Sequence, residues 1–247
     1  HFNEWLMIGM SNAGLGQSYY GESVEDLSDS FEEEFSLMLN TLANRLKLKV
    51  SWPEHVSGKL VNQLQAAGPD QWYLPDLAEG GDVWALFKLN IAAQDLEIEG
   101  PLIECLLEYT DENKETVMAA SASLELPVLS SQAYSAIAEN ETVATRLVEV
   151  TAGQYQREAR QAARSGDWDR VDEIIEEAKY LAKDNDWVLG TIQALKKYAS
   201  RRQTEQFSKE AMYSASRMDR RLASQDEMAL DIDMKAESSK AAYLRRK

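Results

Sequence analysis

The sequence predicts an α+β chain of several parts: a short α-β-α piece, an antiparallel β-sandwich, and a C-terminal helical hairpin or bundle. Three observations carry this. Apolar residues recur at steps of three and four up to residue 44, alternate at a step of two between residues 45 and 128, and return to steps of three and four from residue 132. With 247 residues, 44% of them hydrophobic, the chain can supply two or three cores.

The first part opens with Phe2, Trp5, Leu6 and Met10 at helical spacing and stops at Gly14. An extended stretch follows over Gln17 to Tyr20. Ser23, with Asp26 three residues on, resembles a capping box. Behind it, Val24, Leu27, Phe31, Phe35, Met38 and Leu42 fall on one helical stripe. A piece of 44 residues is too small to bury such faces alone, so residues 1–44 are expected to pack on the sandwich or to self-associate.

Residues 45–128 read as the sandwich. Leu46, Leu48, Val50 and Trp52 alternate with polar residues, and Val83, Ala85, Phe87, Leu89 and Ile91 share one face of a second run. Leu102 to Thr110 and Glu115 to Leu126 flank the polar turn Asp111-Glu112-Asn113-Lys114, the pattern of an antiparallel hairpin. Shorter strands are expected at Lys59 to Leu64 and Gln71 to Leu74. Gly80-Gly81, Gly100-Pro101 and Pro127 punctuate the set.

Residues 132–206 read as a helical hairpin with an extension. Asn140 caps a helix carrying Val143, Leu147 and Val150 that stops at Gly166. Asp167 caps the next, with Trp168, Val171, Ile174, Ile175, Ala178 and Leu181 on its inner face. The two-residue break makes the pair antiparallel. A third helix carries Val188, Ile192, Leu195 and Tyr198. Past residue 206 the stripe thins to Phe207, Met212, Tyr213, Met218 and Leu222, so residues 207–247 read as a helical or disordered tail that would need packing from elsewhere.

Charge is divided unevenly. Residues 1–139 hold 6 Lys and Arg against 23 Asp and Glu, whereas residues 140–247 hold 20 against 19. The front half would repel nucleic acid and anionic lipid, because phosphate affinity comes from Lys and Arg that displace counterions. There is no apolar run long enough to cross a membrane and no signal-peptide start, so a cytoplasmic location is expected. A single cysteine, Cys105, excludes an intrachain disulfide and a thiolate cluster.

Catalytic patterns were sought among the polar residues. The two histidines, His1 and His55, are too few for a histidine triad or a His-ligated zinc site, and His55 reads as an exposed loop residue. Gly14-Leu15-Gly16 follows a helix where a phosphate loop would precede one, so it reads as a helix stop. Glu32-Glu33-Glu34 and Glu173 to Glu177 lack calcium-loop spacing and read as solvated helix faces. Asn140-Glu141-Thr142 matches a glycosylation sequon but reads as a cap. No catalytic residue, bound cofactor or metal ligand is assigned, and the chain is expected not to be an enzyme.

Two groups of residues are candidates for partner contact. Trp72 and Tyr73, in the short run Gln-Trp-Tyr-Leu-Pro, read as an exposed aromatic contact, while Trp5, Trp52, Trp84, Trp168 and Trp187 read as core. The stretch Lys196 to Arg221 holds eight Lys and Arg against three acids, with Tyr198, Phe207 and Tyr213 interleaved. Arg201, Arg202, Lys209, Arg217, Arg220 and Arg221 could grip nucleic acid, but the favoured reading is a basic face docked on acidic surface of its own chain or of a protein partner.

The order of these segments resembles the C-terminal portion of bacterial von Willebrand factor type A (VWA) domain proteins, in which a Rossmann-like VWA domain is followed by a β-sandwich and a helical region. FNEWLMIGMSNAGLGQSYY and ESVEDLSDSFEEEFSLML are similar to the end of the VWA domain. PDLAEGGDVWALFKLNI resembles a sandwich strand after a glycine turn, and NETVATRLVEVTAGQYQREARQAARSGDWDRVDEIIEEAKYLA resembles the closing helical pair. The resemblance covers residues 1–222, and residues 223–247 only loosely. It makes residues 1–44 the C-terminal piece of a VWA-type domain.

VWA domains bind Mg²⁺ through an Asp-x-Ser-x-Ser motif that this sequence lacks; Ser28-Asp29-Ser30 gives only a piece of it. The resemblance therefore places Mg²⁺ in a part of such a protein outside these segments and carries no metal ligand to any residue here. It implies a scaffold acting through protein partners, with an AAA+ ATPase or a kinase or phosphatase among the candidates. The alternatives are a nucleic-acid-binding helical module built on residues 196–221 and a membrane-linked relative of the calcium-activated chloride channel type, for which the sequence offers no anchor.

Overall fold

In a computed structural model, the described residues are 4–14, 31, 35, 38–79, 82–91, 100–111 and 117–220. The expected strand at Gln17 to Tyr20, the capping box at Ser23 and the tail from residue 221 lie outside them. The first helix, α1 (Glu4–Ala13), ends where expected: the Gly14 N–H closes the last turn on the Met10 carbonyl at 3.0 Å.

Eight strands follow: β1 (Thr41–Ser51), β2 (Val56–Leu60), β3 (Gln65–Gly68), β4 (Gln71–Tyr73), β5 (Leu77–Ala78), β6 (Phe87–Ile91), β7 (Ile103–Asp111) and β8 (Val117–Leu124). Six form one antiparallel sheet in the order β3-β4-β1-β7-β8, with β5 also on β1, while β2 and β6 pair as a separate ribbon. The expected hairpin is β7–β8, in continuous register from Ile103 opposite Leu124 to Thr110 opposite Val117.

The central strand β1 is bent by one residue. Arg45 takes a positive φ of 54°, the β1–β7 register shifts there, and the Arg45 N–H leaves the ladder for the Asp76 carboxylate at 3.1 Å. An extra residue in a strand reverses which face its neighbours present. This puts Ala43 and Leu46, an odd step apart, in the same buried cluster with Leu74.

The ribbon lies over the sheet through aromatic contacts. Phe87 meets the edge of Trp72 at 5.3 Å and of Trp52 at 6.3 Å between ring centroids. Trp52 also fills the space beside Gly58, where a Cβ would come within 2.6 Å of the indole ring. The long run expected from Val83 is a strand only from Phe87. Before that point the Asn62 side chain takes the Leu86 N–H at 2.9 Å, so the chain leaves the ladder, although Val83 and Ala85 still pack on the sheet's core.

Five helices complete the described fold: α2 (Ser131–Ser135), α3 (Glu141–Ser165), α4 (Trp168–Leu181), α5 (Asp186–Ala199) and α6 (Thr204–Arg220). The caps are those the sequence predicts. Asn140 accepts from the Val143 N–H at 3.1 Å, Asp167 from that of Arg170 at 3.1 Å, and Gly166 ends α3 in the left-handed region at φ 80°. The 25-residue α3 packs on both α4 and α6, and α5 on α4 and α6.

Two expectations are corrected here. The segment from residue 204 to 220 is a bundle helix rather than part of a tail: Phe207, Ala211 and Met218 are fully enclosed in the same core as Val171, Ile192 and Leu195. Its stripe looks thin in the sequence because alanines and serines at 208, 211, 214 and 215 occupy buried positions. In α3, Val143 and Leu147 are exposed and only Val150 of the expected stripe is buried; the inward face also holds Arg146, Glu149, Gln156 and Arg160.

Candidate interaction surfaces and the polar seam that orients them

The buried polar residues of α3 and α6 form a seam with the sheet region. Asp219, at the end of α6, accepts from Arg157 of α3 at 2.7 Å and from the Gln63 N–H at 3.2 Å, while its carbonyl accepts from the Asn62 side-chain amide at 3.1 Å. Asn62 in turn holds Leu86, so one carboxylate and one amide tie two helices to two loops of the sandwich. Nearby, Arg146 donates to Asp82 at 2.7 Å and to Glu149 at 3.0 Å, with its guanidinium 5.1 Å from the centre of the Trp84 ring.

Buried charges of this kind are costly to desolvate and are retained where each is paired. Planar guanidinium groups suit the task, since one Arg can serve two carboxylates and an aromatic face together. The seam is the feature that sequence reading missed. Its signal was present, because Arg146, Glu149, Gly153, Gln156 and Arg160 recur at steps of three and four, but a search for apolar periodicity passes over polar residues.

The predicted contact residues are not gathered at one place. Trp72 is half-buried between the two β layers against Phe87, and Tyr73 is half-buried in β4, so the pair belongs to the sandwich and is not an exposed contact. His55 is half-buried in the turn closed by the Val56 N–H on the Pro53 carbonyl at 2.9 Å, not exposed.

Arg201 and Arg202 are exposed at the α5–α6 connection. Arg202 has a capping role there: at φ 50° it occupies the left-handed position after a helix, with its N–H on the Ala199 carbonyl at 2.9 Å. Lys209 donates to Glu205 of its own helix at 2.9 Å, and Arg217 lies over the Tyr213 ring at 5.8 Å. The side chain of Arg220 and all of Arg221 lie outside the described residues.

Ahead of them, Lys196 reaches Glu176 of α4 at 2.9 Å, and Glu176 also accepts from Lys179. Hydrogen bonding to Lys179 and then to Lys196 holds the Glu176 carboxyl below its ordinary value, and Lys209 does the same for Glu205. Lys196 and Lys209 are thus engaged with acids of this chain, the arrangement the favoured reading of the basic stretch expects.

Two surfaces remain uncovered. One comprises Leu6, Met7 and Met10 of α1 with Phe31, Phe35, Met38, Leu39 and Leu42, all exposed, so the expected packing of this stripe on the sandwich is not found. The other is continuous in sequence: every residue from Val117 to Val143 is exposed, including both faces of β8, the connector and α2.

Among the described residues no group of three or more His, Cys, Asp or Glu converges as metal ligands would, and none of their helices is long and apolar enough to cross a membrane. With the Asp-x-Ser-x-Ser motif also missing from the sequence, these residues do not fit Mg²⁺ bound as in a VWA domain.

No family model and no curated protein matches this sequence. Among solved structures the chain is similar to a von Willebrand factor type A protein from Catenulispora acidiphila, with 15% identity and a TM-score of 0.56 over 76% of this chain and 47% of that one. It is also similar to the ArnB paralog VWA2 from Sulfolobus acidocaldarius, with 14% identity and a TM-score of 0.49 over 73% of this chain and 42% of that one. The chain thus spans less than half the length of either, 47% and 42%. It has, over about three quarters of its length, the α+β fold of a von Willebrand factor type A domain protein.

Proposed function

We propose that this chain is a non-catalytic protein–protein interaction region of a VWA-type protein, acting in the cytoplasm by docking rather than by turnover. The observation that carries this is the unbroken exposure of residues 117–143, which include Val117, Leu126, Val128, Tyr134 and Ile137. Folded chains rarely leave that much apolar surface in one stretch unless a partner covers it. The exposed stripe from Leu6 to Leu42 supports the same reading and is a second place for contact, by self-association or with another protein.

The seam supports a scaffold, because it holds the strand-borne surface and the helical bundle in one orientation. An AAA+ ATPase is the partner class we put first, on resemblance alone. Affinity capture with the 247-residue chain, followed by titration of each recovered protein in purified form, tests this. A saturable complex that weakens when Val128 and Ile137 are changed to Ser would support it. Recovery of nucleic acid whose retention falls steeply with salt would favour the helical module instead.

A further inference from the structure

The outer edge of β8 differs from most sheet edges. β8 ends the six-stranded sheet, so among the described residues its outward N–H and C=O groups face no strand, and all eight of its residues are exposed. Natural edge strands are blunted with lysine, proline or other charges, since an open edge is a template for another strand. β8, Val-Met-Ala-Ala-Ser-Ala-Ser-Leu, has none of these. Only Glu125, Glu139 and Glu141 carry charge from Val117 to Val143, although 28% of the chain's residues are charged.

We propose that β8 is the dimerisation strand of this protein, pairing antiparallel with β8 of a second copy across a two-fold axis. Three features select a second copy over a different partner. First, the strand is self-complementary in that direction. Val117 and Met118 at one end meet the Leu124 end of the other copy, and the small residues Ala119 to Ser123 meet each other at the axis, where backbones must approach.

Second, each copy carries a net charge of −16, and an uncharged strip is where two such chains can touch without like charges facing across the ladder. Third, the exposed stretch has the size required. Stable interfaces use roughly 20–30 residues a side, and Val117 to Val143 supplies twenty-seven in sequence. Leu126, Val128, Leu129 and Tyr134, next to the strand, extend the paired edge with apolar area.

The inference rests on reading the chain as an interaction region. Its test is the molar mass of the 247-residue chain in solution, by light scattering across a concentration series, with hydrogen exchange of the β8 amides on the same samples. The expected mass is twice 27.8 kDa, with exchange at Val117 to Leu124 slowing as concentration rises. The double variant A119K/S121K is expected to be monomeric, and F35S/M38S to remain dimeric.

A monomer at all concentrations would overturn the inference. So would a dimer lost in F35S/M38S and kept in A119K/S121K, or β8 exchange that ignores concentration. The exchange measurement stands even if the lysine variant fails to fold. A monomer that still binds a purified partner would sink the dimer and leave the interaction reading intact. A dimer that captures nothing else would support the strand pairing and count against docking to other proteins.

Discussion

The helical bundle and the β layers solve the same problem to different degrees. In the bundle, four helices enclose Phe207, Ile192, Leu195, Met218, Val150, Val171 and Val188 almost completely. In the sheet only Leu46 and Val50 are as deeply buried among large side chains, most other residues are half-covered, and β8 is covered on neither face. A sheet can cover a whole face only with another layer, and the β2–β6 ribbon is too narrow to reach the outer strands. The bundle is complete within this chain, whereas the β part is finished only where the ribbon and the seam touch it.

The largest effect that would sharpen this contrast is a deletion in the bundle core. Phe207→Ala is expected to cost about 3–5 kcal/mol, as for other buried phenylalanines, read by denaturant unfolding of the helical signal. Leu46→Ala should cost less in the same assay, toward 2 kcal/mol, because half-covered neighbours can relax into the cavity. Equal losses would show the two cores to be equally tight.

The seam offers the next test, since it makes two regions behave as one. Asp219→Ala leaves Arg157 without its carboxylate and the Gln63 N–H without its acceptor, at a cost of roughly 2–3 kcal/mol. The sheet and helix transitions, coincident in the parent chain, should then separate in thermal unfolding followed by near- and far-ultraviolet signals. A single transition in the variant would mean that the apolar contacts couple the two regions without the seam.

Arg202→Gly should act in the opposite direction. The left-handed conformation costs a non-glycine residue about 1 kcal/mol, so the glycine variant is expected to be more stable by that amount in equilibrium unfolding. If Arg202 also touches a partner, the same variant would weaken binding while stabilising the fold.

The smallest effect concerns Glu176, which joins α4 to α5 through Lys196. Its folded-state carboxyl lies below the ordinary 4.5, so the stability it contributes is fully present above that value and is lost as pH falls through the depressed one. The group is exposed, so the readout is its own titration by NMR. Lys196→Met should move the midpoint up toward 4.5; an unmoved midpoint would mean that Lys179 alone lowers it.

Much of the helical half was legible in the sequence because caps and breaks are local chemistry. Asn140, Gly166 and Asp167 act through backbone groups three to five residues away, and each does what its residue type implies. The β7–β8 hairpin was legible for the same reason, its register following from two alternating runs on either side of a polar turn.

The candidate contact residues were harder to place because exposure is not a local property. Trp72 stands in a polar setting in sequence and becomes an inter-layer residue only when β6 brings Phe87 over it. Val143 and Leu147 look like core by spacing, and the orientation of α3 turns them outward in favour of Arg146 and Glu149.

By itself, then, the sequence determined the class of each segment, the ends of the helices and the acidic front half, all of which depend on neighbours within a turn or a strand. Tertiary structure alone decided which polar residues are buried, that α6 closes the bundle, and that β8 is left with an open edge. Those outcomes depend on contacts between residues far apart in the chain, such as Asn62 with Asp219, and no period of three, four or two encodes them.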